Sequence, residues 1–305
     1  MRRIFVVGSI NMDLSITTPR LPALGETVSG SGFTALQGGK GANQAAAAAR
    51  LGCSVKLLGG VGSDVFGRQL RQSLEGFGVD TEAVALYPGS SGIAVITVCG
   101  GDNHIILDAG ANDCVSPQQL TEHAALFEWA DAVLLQFELP EQTVYAAAQL
   151  AQAHGCYTVV NPAPYRPFDD SLLDMASLYI PNQSEAASIL GRAVKSRSDA
   201  VAVIERLKAR CPALDVVVTL GADGCVYDIS GQQGAQACIP VSVTDTTAAG
   251  DCFIAALVCA LGEMPVKDAV LYATAAAALT VTRRGASASL PDRDAVHAFM
   301  QAHVQ

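Results

Sequence analysis

Short apolar runs alternate with helical patterns from the start of the chain. The run at 3–10 (RIFVVGSI) predicts a buried strand, and 37–52 predicts a glycine turn followed by an alanine-rich helix that ends at Gly52. Residues 54–62 predict a second strand, and 66–78 predict an amphipathic helix. This part of the sequence therefore predicts a strand–helix–strand–helix order.

The same alternation continues beyond residue 130. Apolar runs predict strands at 130–138, 157–164, 178–182 and 214–224, further β structure at 224–229 and 237–243, and helices up to about 153, at 251–262 and at 269–282. Strands that alternate with helices are typical of a mostly parallel sheet covered by helices on both faces. We expect a single α/β domain over residues 1–305, with a mostly parallel central sheet flanked by helices.

Two segments depart from this pattern. The first, about 12–35, carries prolines, glycines, serines and threonines, which predict short strands and turns. The second, about 90–106, has two β-rich runs around Gly100-Gly101-Asp102-Asn103, which predict a hairpin. We expect both segments to form a small β lid over the ends of the central strands.

Polar residues follow several predicted strands. In open parallel sheets, ligands bind at the carboxyl ends of the strands. The polar residues at those ends are therefore candidates for a site: Asn11, Asp13, Glu138, Asn161, Asn182, 219–224 and Asp245.

The stretch DTTAAGDCF, 245–253, has the pattern of an anion site beside a carboxylate. A helix that starts near Gly250 leaves backbone N–H groups unpaired and carries partial positive charge at its first turn. Ala248 and Ala249, with Gly250, let a ligand approach the backbone, and Asp251 lies at the rim. This arrangement suits phosphoryl transfer to an alcohol, with Asp251 as the base. The alternative is an ordinary acidic residue that complements the helix dipole.

Composition excludes several classes of protein. The net charge of −10 argues against nucleic-acid binding, because an acidic chain repels phosphates. The nine cysteines contain no C-x-x-C pair, and with the five histidines they form no metal-ligand spacing. The apolar run at the amino end is too short for a signal peptide, and none elsewhere reaches the about 20 residues of a membrane helix. We expect a cytoplasmic protein with reduced cysteines and no membrane partner.

Other nucleotide-binding motifs are absent from the sequence. The only Gly-Lys pair, Gly39-Lys40, precedes Gly41 rather than Ser or Thr, so no Walker A loop is present. The stretch GGVGSD does not match G-x-G-x-x-G.

Seven motifs in order resemble the ribokinase family, the PfkB-type carbohydrate kinases, over essentially the whole chain. They are GSINMD, GGKGANQA, LLQFELP, NPAP, PNQSEA, TLGADG and DTTAAGDCF. The resemblance implies an ATP-dependent kinase that phosphorylates a sugar hydroxyl, with D-ribose as the expected acceptor and D-ribose 5-phosphate as the product.

The resemblance also implies roles for individual residues. Asp251 would be the catalytic base, and Ala248, Ala249 and Gly250 would form the anion hole with its amide. The sugar-binding positions would be Asn11, Asp13, Gly39, Lys40, Asn43 and Glu138, together with Asp251. The nucleotide-binding positions would be Asn182, Thr219, Gly221, Gly224 and Thr274.

Two cation sites follow from the same resemblance. Asn182 and Glu185 would lie near Mg²⁺ and its waters, although their spacing also fits a helix cap. A K⁺ site would be formed by oxygens of Asp245 and Ser289 and by the backbone carbonyls of Thr247, Thr280, Arg283 and Gly285. Helix termination at Gly285 is the alternative for the residues within 280–289.

Two positions depart from the family pattern, and alternatives stay open. Cys252 follows the base where relatives often have threonine or alanine, and Thr274 lies where several relatives have asparagine or histidine, which puts the adenine contacts in doubt. The acceptor could be another small sugar or a nucleoside, such as deoxyribose. A different class, a silent sugar-binding or regulatory protein, would lack the base, which is present here. We expect a homodimer that pairs through the strands of the lid.

Overall fold

The computed structural model describes residues 2–100 and 102–303. The strands are β1 (Arg3–Val7), β2 (Asn11–Thr17), β3 (Ser31–Gly38), β4 (Ser54–Gly62), β5 (Val79–Asp80), β6 (Val84–Tyr87), β7 (Gly92–Cys99), β8 (Asp102–Asp108), β9 (Ala132–Gln136), β10 (Tyr157–Asn161), β11 (Leu178–Tyr179), β12 (Asp215–Thr219), β13 (Cys225–Ile229) and β14 (Gln232–Gln236). They form a ten-stranded sheet and a separate four-stranded sheet.

Helices cover both faces of the larger sheet. They are α1 (Lys40–Arg50), α2 (Val65–Gly76), α3 (Pro117–Glu122), α4 (Ala125–Trp129), α5 (Glu141–Ala153), α6 (Ser171–Met175), α7 (Gln183–Leu190), α8 (Arg197–Arg210), α9 (Ala249–Ala260), α10 (Val266–Thr280), α11 (Ala286–Ser289) and α12 (Arg293–His303). Short 3-10 turns occur at Gly110–Cys114 and Gly221–Asp223.

The larger sheet is mostly parallel. Its strand order is β14-β13-β12-β11-β10-β9-β1-β4-β5, and β6 pairs with β4. Strand β1 lies between β4 and β9, and Val7 is in register with Leu58 and Leu135. Within the described residues, only the β12–β13 and β13–β14 pairs of this sheet are antiparallel. The predicted fold class, a mostly parallel sheet flanked by helices, is confirmed.

Alternating side chains of the central strands supply two hydrophobic layers. On β1, Ile4 and Val6 join one layer, whereas Phe5 and Val7 join the other. This division follows from the period-two geometry of a strand that is buried on both faces.

Helix α9 is buried on every side from Asp251 to Ala260. It packs against α1 on one side and α10 on the other. The small side chains of α1, Ala42 and 45–48, have no solvent exposure, which lets the helix axes approach closely. An apolar helix therefore carries the predicted base into the interior of the protein.

The smaller sheet has the order β3-β2-β7-β8 and comes from the two segments that the sequence separates from the α/β pattern. Strands β7 and β8 form the predicted hairpin, with Cys99 opposite Asp102. Gly100, at its turn, has a φ of 61°. Gly101, which belongs to the predicted turn, lies outside the described residues. This four-stranded sheet is called the lid sheet below.

The prediction of β structure at 237–243 is wrong. That stretch is irregular and contains Pro240, which has no N–H to donate to a sheet. The last strand is instead the polar β14, which pairs antiparallel with β13 after a turn at Ser230-Gly231.

Across residues 2–100 and 102–303, no helix combines the length and hydropathy required to cross a membrane.

Candidate active site

The carboxyl ends of the parallel strands meet at one edge of the central sheet, and polar residues line that edge. Ser9 follows β1, Gln136 ends β9 and Asn161 ends β10. Asn182, after β11, bridges to Thr219, the last residue of β12. This edge is where parallel sheets of this kind bind ligands.

Asp251 reaches this edge from the first turn of α9. Its side chain is 8% exposed. Asn43 donates Nδ2–H to Asp251 Oδ2 at 3.0 Å, and Gln44 donates Nε2–H to Oδ1 at 3.1 Å. Burial raises the pKa of Asp251, and Lys40 with the two amide donors opposes this rise. A buried carboxylate with a raised pKa is suited to accept a proton from a bound hydroxyl.

The amino end of α9 opens toward empty space. Ala248 caps the helix with a φ of 61°, a left-handed conformation that is rare for residues other than glycine. The N–H groups of Gly250 and Asp251 have no acceptor in the part of the chain that the structure describes. A Cβ built on Gly250 would meet no atom within 4 Å. The predicted anion hole thus has free donors and room for a ligand.

Carboxylates crowd around one lysine at this site. Burial raises the pKa of Asp13 to about 7, with Glu138 and Asp251 adding to the rise and Lys40 opposing it. Burial lowers the pKa of Lys40, but the surrounding carboxylates outweigh that effect and raise it. The lysine therefore stays charged and compensates part of the negative charge.

Glu138 joins the turn after β1 to the start of α1. Its Oε2 accepts a hydrogen bond from the Lys40 N–H at 3.1 Å and a second one from the Ser9 hydroxyl. Ser9 Oγ also accepts the Gly41 N–H at 3.3 Å. Glu138 is therefore fixed to the first turn of the helix that carries Asn43.

Two glycines allow close contact between the lid sheet and α1. A Cβ on Gly38 would lie 2.1 Å from the carboxylate of Asp13. Gly39, which caps α1 with a φ of 88°, would place a Cβ 2.7 Å from the backbone N of Asn11. A side chain at Gly39 would strike backbone, so glycine is a steric requirement there, whereas a side chain at Gly38 would displace the Asp13 carboxylate from its position.

Asn11 is buried beside a second asparagine. Asn112 Nδ2 donates to Asn11 Oδ1 at 2.7 Å, and Asn112 Oδ1 accepts the Ile10 N–H at 2.9 Å. These bonds orient the Asn11 amide so that its own N–H groups are directed away from Asn112.

Asn182 and Glu185 form the helix cap that the sequence left as an alternative. Asn182 Oδ1 accepts the N–H groups of Ser184 and Glu185, and the Glu185 carboxylate accepts from Asn182 N and Nδ2, each at 2.8 Å. Burial raises the pKa of Glu185 to about 7, although the Asn182 N–H and Lys40 lower it. Lys40 and Asp251 both affect this pKa, so Glu185 belongs to the same electrostatic site.

The predicted nucleotide loop follows β12. Gly221 has a φ of 56° with no neighbour within 4 Å of a built Cβ, whereas a Cβ on Gly224 would lie 1.9 Å from Gln236 O. Thr219 joins this loop to Asn182 through their bridge. Thr274 is buried on α10, and its hydroxyl donates to Val270 O at 2.8 Å, so the structure does not place a free hydroxyl donor there.

Asp245, one of the predicted K⁺ ligands, contacts two others, Thr247 and Gly285. Asp245 Oδ1 accepts the N–H and hydroxyl of Thr247, and Oδ2 accepts the Gly285 N–H at 3.0 Å. These bonds outweigh burial and keep the pKa of Asp245 below its usual range. The hydroxyls of Thr280 and Ser289 donate to carbonyls of their own helices. The expected ligand atoms at Thr280 and Arg283 are backbone carbonyls, which these side-chain contacts do not involve.

An ionised carboxylate beside loop carbonyls fits a large monovalent cation in ligand type. No group of three or more His, Cys, Asp or Glu residues suited to a metal occurs within 2–100 and 102–303. A K⁺ site at Asp245 would therefore depend on backbone carbonyls rather than on a cluster of charged side chains.

Sequence analysis missed the two glutamines that extend the contacts of Asp251. Gln136 Nε2 donates to Gln44 Oε1 at 2.7 Å, and Gln44 Nε2 lies 3.4 Å from Asn161 Oδ1 as well as bonding Asp251. The signal was present in the sequence. Lys40, Asn43 and Gln44 have the i, i+3, i+4 spacing of one helix face in an alanine-rich helix.

A cavity of about 510 Å³ separates the lid sheet from the loops before α9 and α11. Asp13 and Thr34 line it from the lid sheet, and Asp245, Thr247 and Arg284 line it from the opposite side. The volume is that of a small-molecule site.

The fold and the site together define a class of protein: an α/β enzyme with a buried carboxylate beside the open amino end of a helix. The chain matches the family described as pfkB family carbohydrate kinase over residues 1–293, and it belongs to that family.

Curated relatives and solved structures agree with this family. The chain is 37% identical to the ribokinase of Bacillus subtilis over 98% of this chain and all of that protein. It is 32% identical to a deoxyribokinase of Salmonella typhi, over 97% of this chain and 98% of that one. The Arabidopsis thaliana ribokinase complexed with ribose and ATP superposes with a TM-score of 0.91 at 31% identity, covering 99% of each chain.

Proposed function

We propose that this protein transfers the γ-phosphoryl group of ATP to D-ribose and forms D-ribose 5-phosphate and ADP. The observation that carries the proposal is the buried Asp251 carboxylate, held by Asn43 and Gln44 at the open amino end of α9. Relatives named ribokinase, aligned over nearly the whole chain, support the choice of sugar.

Asp251 is proposed as the general base. Its carboxylate takes the proton of the sugar 5-hydroxyl as that oxygen bonds to the γ-phosphorus and the bond to the bridging oxygen breaks. The free N–H groups of Gly250 and Asp251 donate to the oxygens of the transferred group, where negative charge must be stabilised. The left-handed turn at Ala248 aims these groups.

The sugar site is proposed around the carboxylates near Lys40. Glu138 and Asp13 can accept hydrogen bonds from neighbouring hydroxyls, while the amides of Asn11 and Asn43 can both donate and accept. Asn43 Oδ1 is buried and has no hydrogen-bond partner among residues 2–100 and 102–303, so it could accept a sugar hydroxyl. Gly39, which has no side chain, is proposed to let the sugar approach the backbone closely.

The nucleotide is proposed to bind across Asn182, Thr219, Gly221 and Gly224, where the turn after β12 leaves open space. Thr274 would contact the adenine side through its methyl group, because its hydroxyl bonds to Val270.

Magnesium is proposed to bind beside Glu185 and Asn182. The Glu185 carboxylate fits an ion that keeps several waters, because it is buried, interacts electrostatically with Asp251, and accepts two hydrogen bonds from Asn182. When bound, Mg²⁺ supplies charge neutralisation for the phosphate oxygens.

Potassium is proposed to bind at Asp245 and the carbonyls of 280–285, beside the loop that precedes α9. The hydrogen bonds from Thr247 and Gly285 hold the ionised carboxylate in place. A cation there would steady the turn that presents the anion hole.

We propose that the lid sheet closes the sugar site and pairs two copies of the chain. Strand β8 is a sheet edge, and apolar side chains on the lid sheet are exposed: Phe33, Val95, Ile105, Ile106 and Leu107. Exposed apolar edge strands are rare in monomers, because they pair with other chains. Closure of the lid sheet would exclude water from the transferred phosphate.

We propose a cytoplasmic protein in which all nine cysteines can remain thiols. None of them forms a disulfide in the structure.

The test is ADP release from MgATP with ribose, deoxyribose and nucleosides, in KCl or NaCl. Asp251→Asn should lower kcat with ribose by at least about 10³-fold, since a neutral amide cannot accept the proton. Asp268→Asn is the matched control, because Asp268 is an exposed first-turn residue of α10. It should keep wild-type activity.

Other outcomes discriminate between the alternatives. Faster turnover of deoxyribose than of ribose would make deoxyribose the assigned substrate and leave the proposed mechanism unchanged. Deoxyribose is included because one relative is named deoxyribokinase. Tight sugar binding without turnover by the wild type would identify a silent binding protein. Full activity of the Asp251→Asn variant would show that Asp251 is not the general base.

A further inference from the structure

The sulfurs of two cysteines lie close together at the carboxyl ends of α1 and α9, the two helices that carry Asn43, Gln44 and Asp251. Cys53, in the turn after α1, has its Sγ 2.8 Å from the Sγ of Cys259, in the last turn of α9. Among the described residues, no other pair of cysteine sulfurs lies within hydrogen-bonding distance. Both sulfurs are free thiols here.

The backbone fixes both thiols in position. Cys53 N donates to Ala48 O at 3.0 Å, and Cys259 Sγ lies 3.9 Å from the same carbonyl. Because α1 and α9 pack together, the sulfurs approach through close helix packing rather than through mobile side chains. A disulfide of about 2.05 Å needs only a small shift from this separation.

The two thiols differ in access and acidity. Cys53 is partly exposed, whereas Cys259 is 6% exposed. Their mutual hydrogen bond lowers the pKa of Cys53, and it raises the pKa of Cys259 together with burial. A cavity of about 20 Å³, lined by Glu263, Arg293 and His297, adjoins both.

We propose that Cys53 and Cys259 are a reversible disulfide site, oxidised by small-molecule disulfides, that clamps α1 to α9. This site is independent of the proposed kinase activity.

The chemistry balances as two exchanges. The Cys53 thiolate attacks one sulfur of the small disulfide, forms a mixed disulfide and releases one small thiolate. Cys259 then loses its proton and attacks Cys53 Sγ, which expels the second small thiolate. In total, two protein thiols are oxidised by two electrons and one small disulfide is reduced to two thiols.

The clamp joins the helices that hold the candidate base. Asn43 and Gln44 on α1 bond Asp251 near the first turn of α9, and the two thiols meet near its last turn. A disulfide would therefore connect the same two helices at a second point and resist their separation during unfolding.

The experiment treats the folded full-length chain with glutathione disulfide, alkylates the remaining thiols and maps non-reduced peptides by mass spectrometry. We expect a peptide linked through Cys53 and Cys259, and a melting temperature about 5 °C higher that returns to its starting value with a reductant. Cys114→Ser, which removes an exposed thiol, should form the same link.

The single variants separate the two steps. Cys259→Ser should trap glutathione on Cys53, and Cys53→Ser should give no linked peptide. Alkylation of both thiols after treatment, while Cys114 carries glutathione, would overturn the disulfide site. A linked peptide without a change in melting temperature would overturn the clamp.

Discussion

The orientation of Gln44 controls the environment of Asp251. Because Gln44 Oε1 accepts from Gln136, its Nε2 is the atom directed toward the carboxylate. A donor at that position favours the ionised form of Asp251 and partly offsets the cost of burial. Gln44 is therefore a positioning residue for the proposed base.

Gln44→Met tests this role, since the methionine side chain has a similar length and no N–H donor. We expect the pKa of Asp251 to rise, because a hydrogen bond to a charged group contributes about 1.5–3 kcal/mol. The acid limb of kcat/KM for ribose should therefore move to higher pH by about one unit.

Gln136→Met is the matched control for Gln44→Met, because it removes the orienting bond and leaves the donor to Asp251. Its acid limb should move less. A uniform loss of kcat/KM at every pH, with the limb unmoved, would show that Gln44 only supports the fold.

The raised pKa of Asp13 makes the stability of the folded protein depend on pH. Its pKa of about 7 in the folded protein exceeds the ordinary 3.8, so the folded state holds its proton more tightly than the unfolded state. Stability should fall as pH rises from about 4 to about 7 and stay lowered above that range.

Asp13→Asn should remove this penalty. We expect the variant to be about 2 kcal/mol more stable than the wild type in urea unfolding near pH 8, with the difference disappearing toward pH 4. Sugar affinity should fall at the same time. A variant less stable than the wild type near pH 8 would contradict the predicted cost of the carboxylate.

Helix α1 depends on a glycine at each end. Gly39 and Gly52 have φ values of 88° and 92°, so both occupy the left-handed region. The space around them differs: a Cβ on Gly39 would collide with the backbone of Asn11 and Ser9, whereas on Gly52 its nearest neighbour is Arg293 Cδ at 3.8 Å.

The pair Gly39→Ala and Gly52→Ala separates the two effects. Gly52→Ala should cost about 1 kcal/mol of unfolding free energy through backbone strain alone. Gly39→Ala should cost at least about twice as much and lower kcat/KM about 100-fold, because α1 must move away from the site. Equal losses in both variants would rule out the steric requirement at Gly39.

Sequence patterns correctly predicted the strands and helices that are both apolar in sequence and buried in the structure. The apolar runs of β1, β4 and β9 and the two apolar helices α9 and α10 agree with the structure. The polar strand β14 did not show in the pattern, because its sequence QQGAQ is formed by pairing with β13 rather than by burial.

Only those residues of the candidate site that belong to sequence motifs could be predicted from the sequence. The helix position of Asp251 and the strand-end positions of Asn182 and Thr219 agree with the sequence analysis. Contacts made between elements, such as Asn112 with Asn11 and Gln136 with Gln44, depend on tertiary packing that no local pattern encodes.

At the scale of the whole molecule, the lid sheet has an exposed edge strand, β8. Its β8 edge carries Ile106, which is 73% exposed. An unpaired apolar edge of this kind favours association with a second copy.

Ile106→Lys should therefore weaken the proposed dimer. We expect sedimentation to show a monomer at concentrations where the wild type is dimeric, because a charged edge strand opposes pairing. Leu86→Lys is the control, since Leu86 is 60% exposed on β6 outside the lid sheet. A wild type that sediments as a monomer, or an Ile106→Lys variant that remains a dimer, would refute this interface.

The hydrogen bonds between α1 and Asp251 also bear on folding. Asn43 and Gln44 are 208 and 207 residues away from Asp251 along the chain. Contacts of such high sequence separation form late, because their loop-closure entropy must first be overcome. Recovery of enzymatic activity during refolding should therefore lag behind recovery of helical signal, and the interval would time the docking of the two halves of the chain.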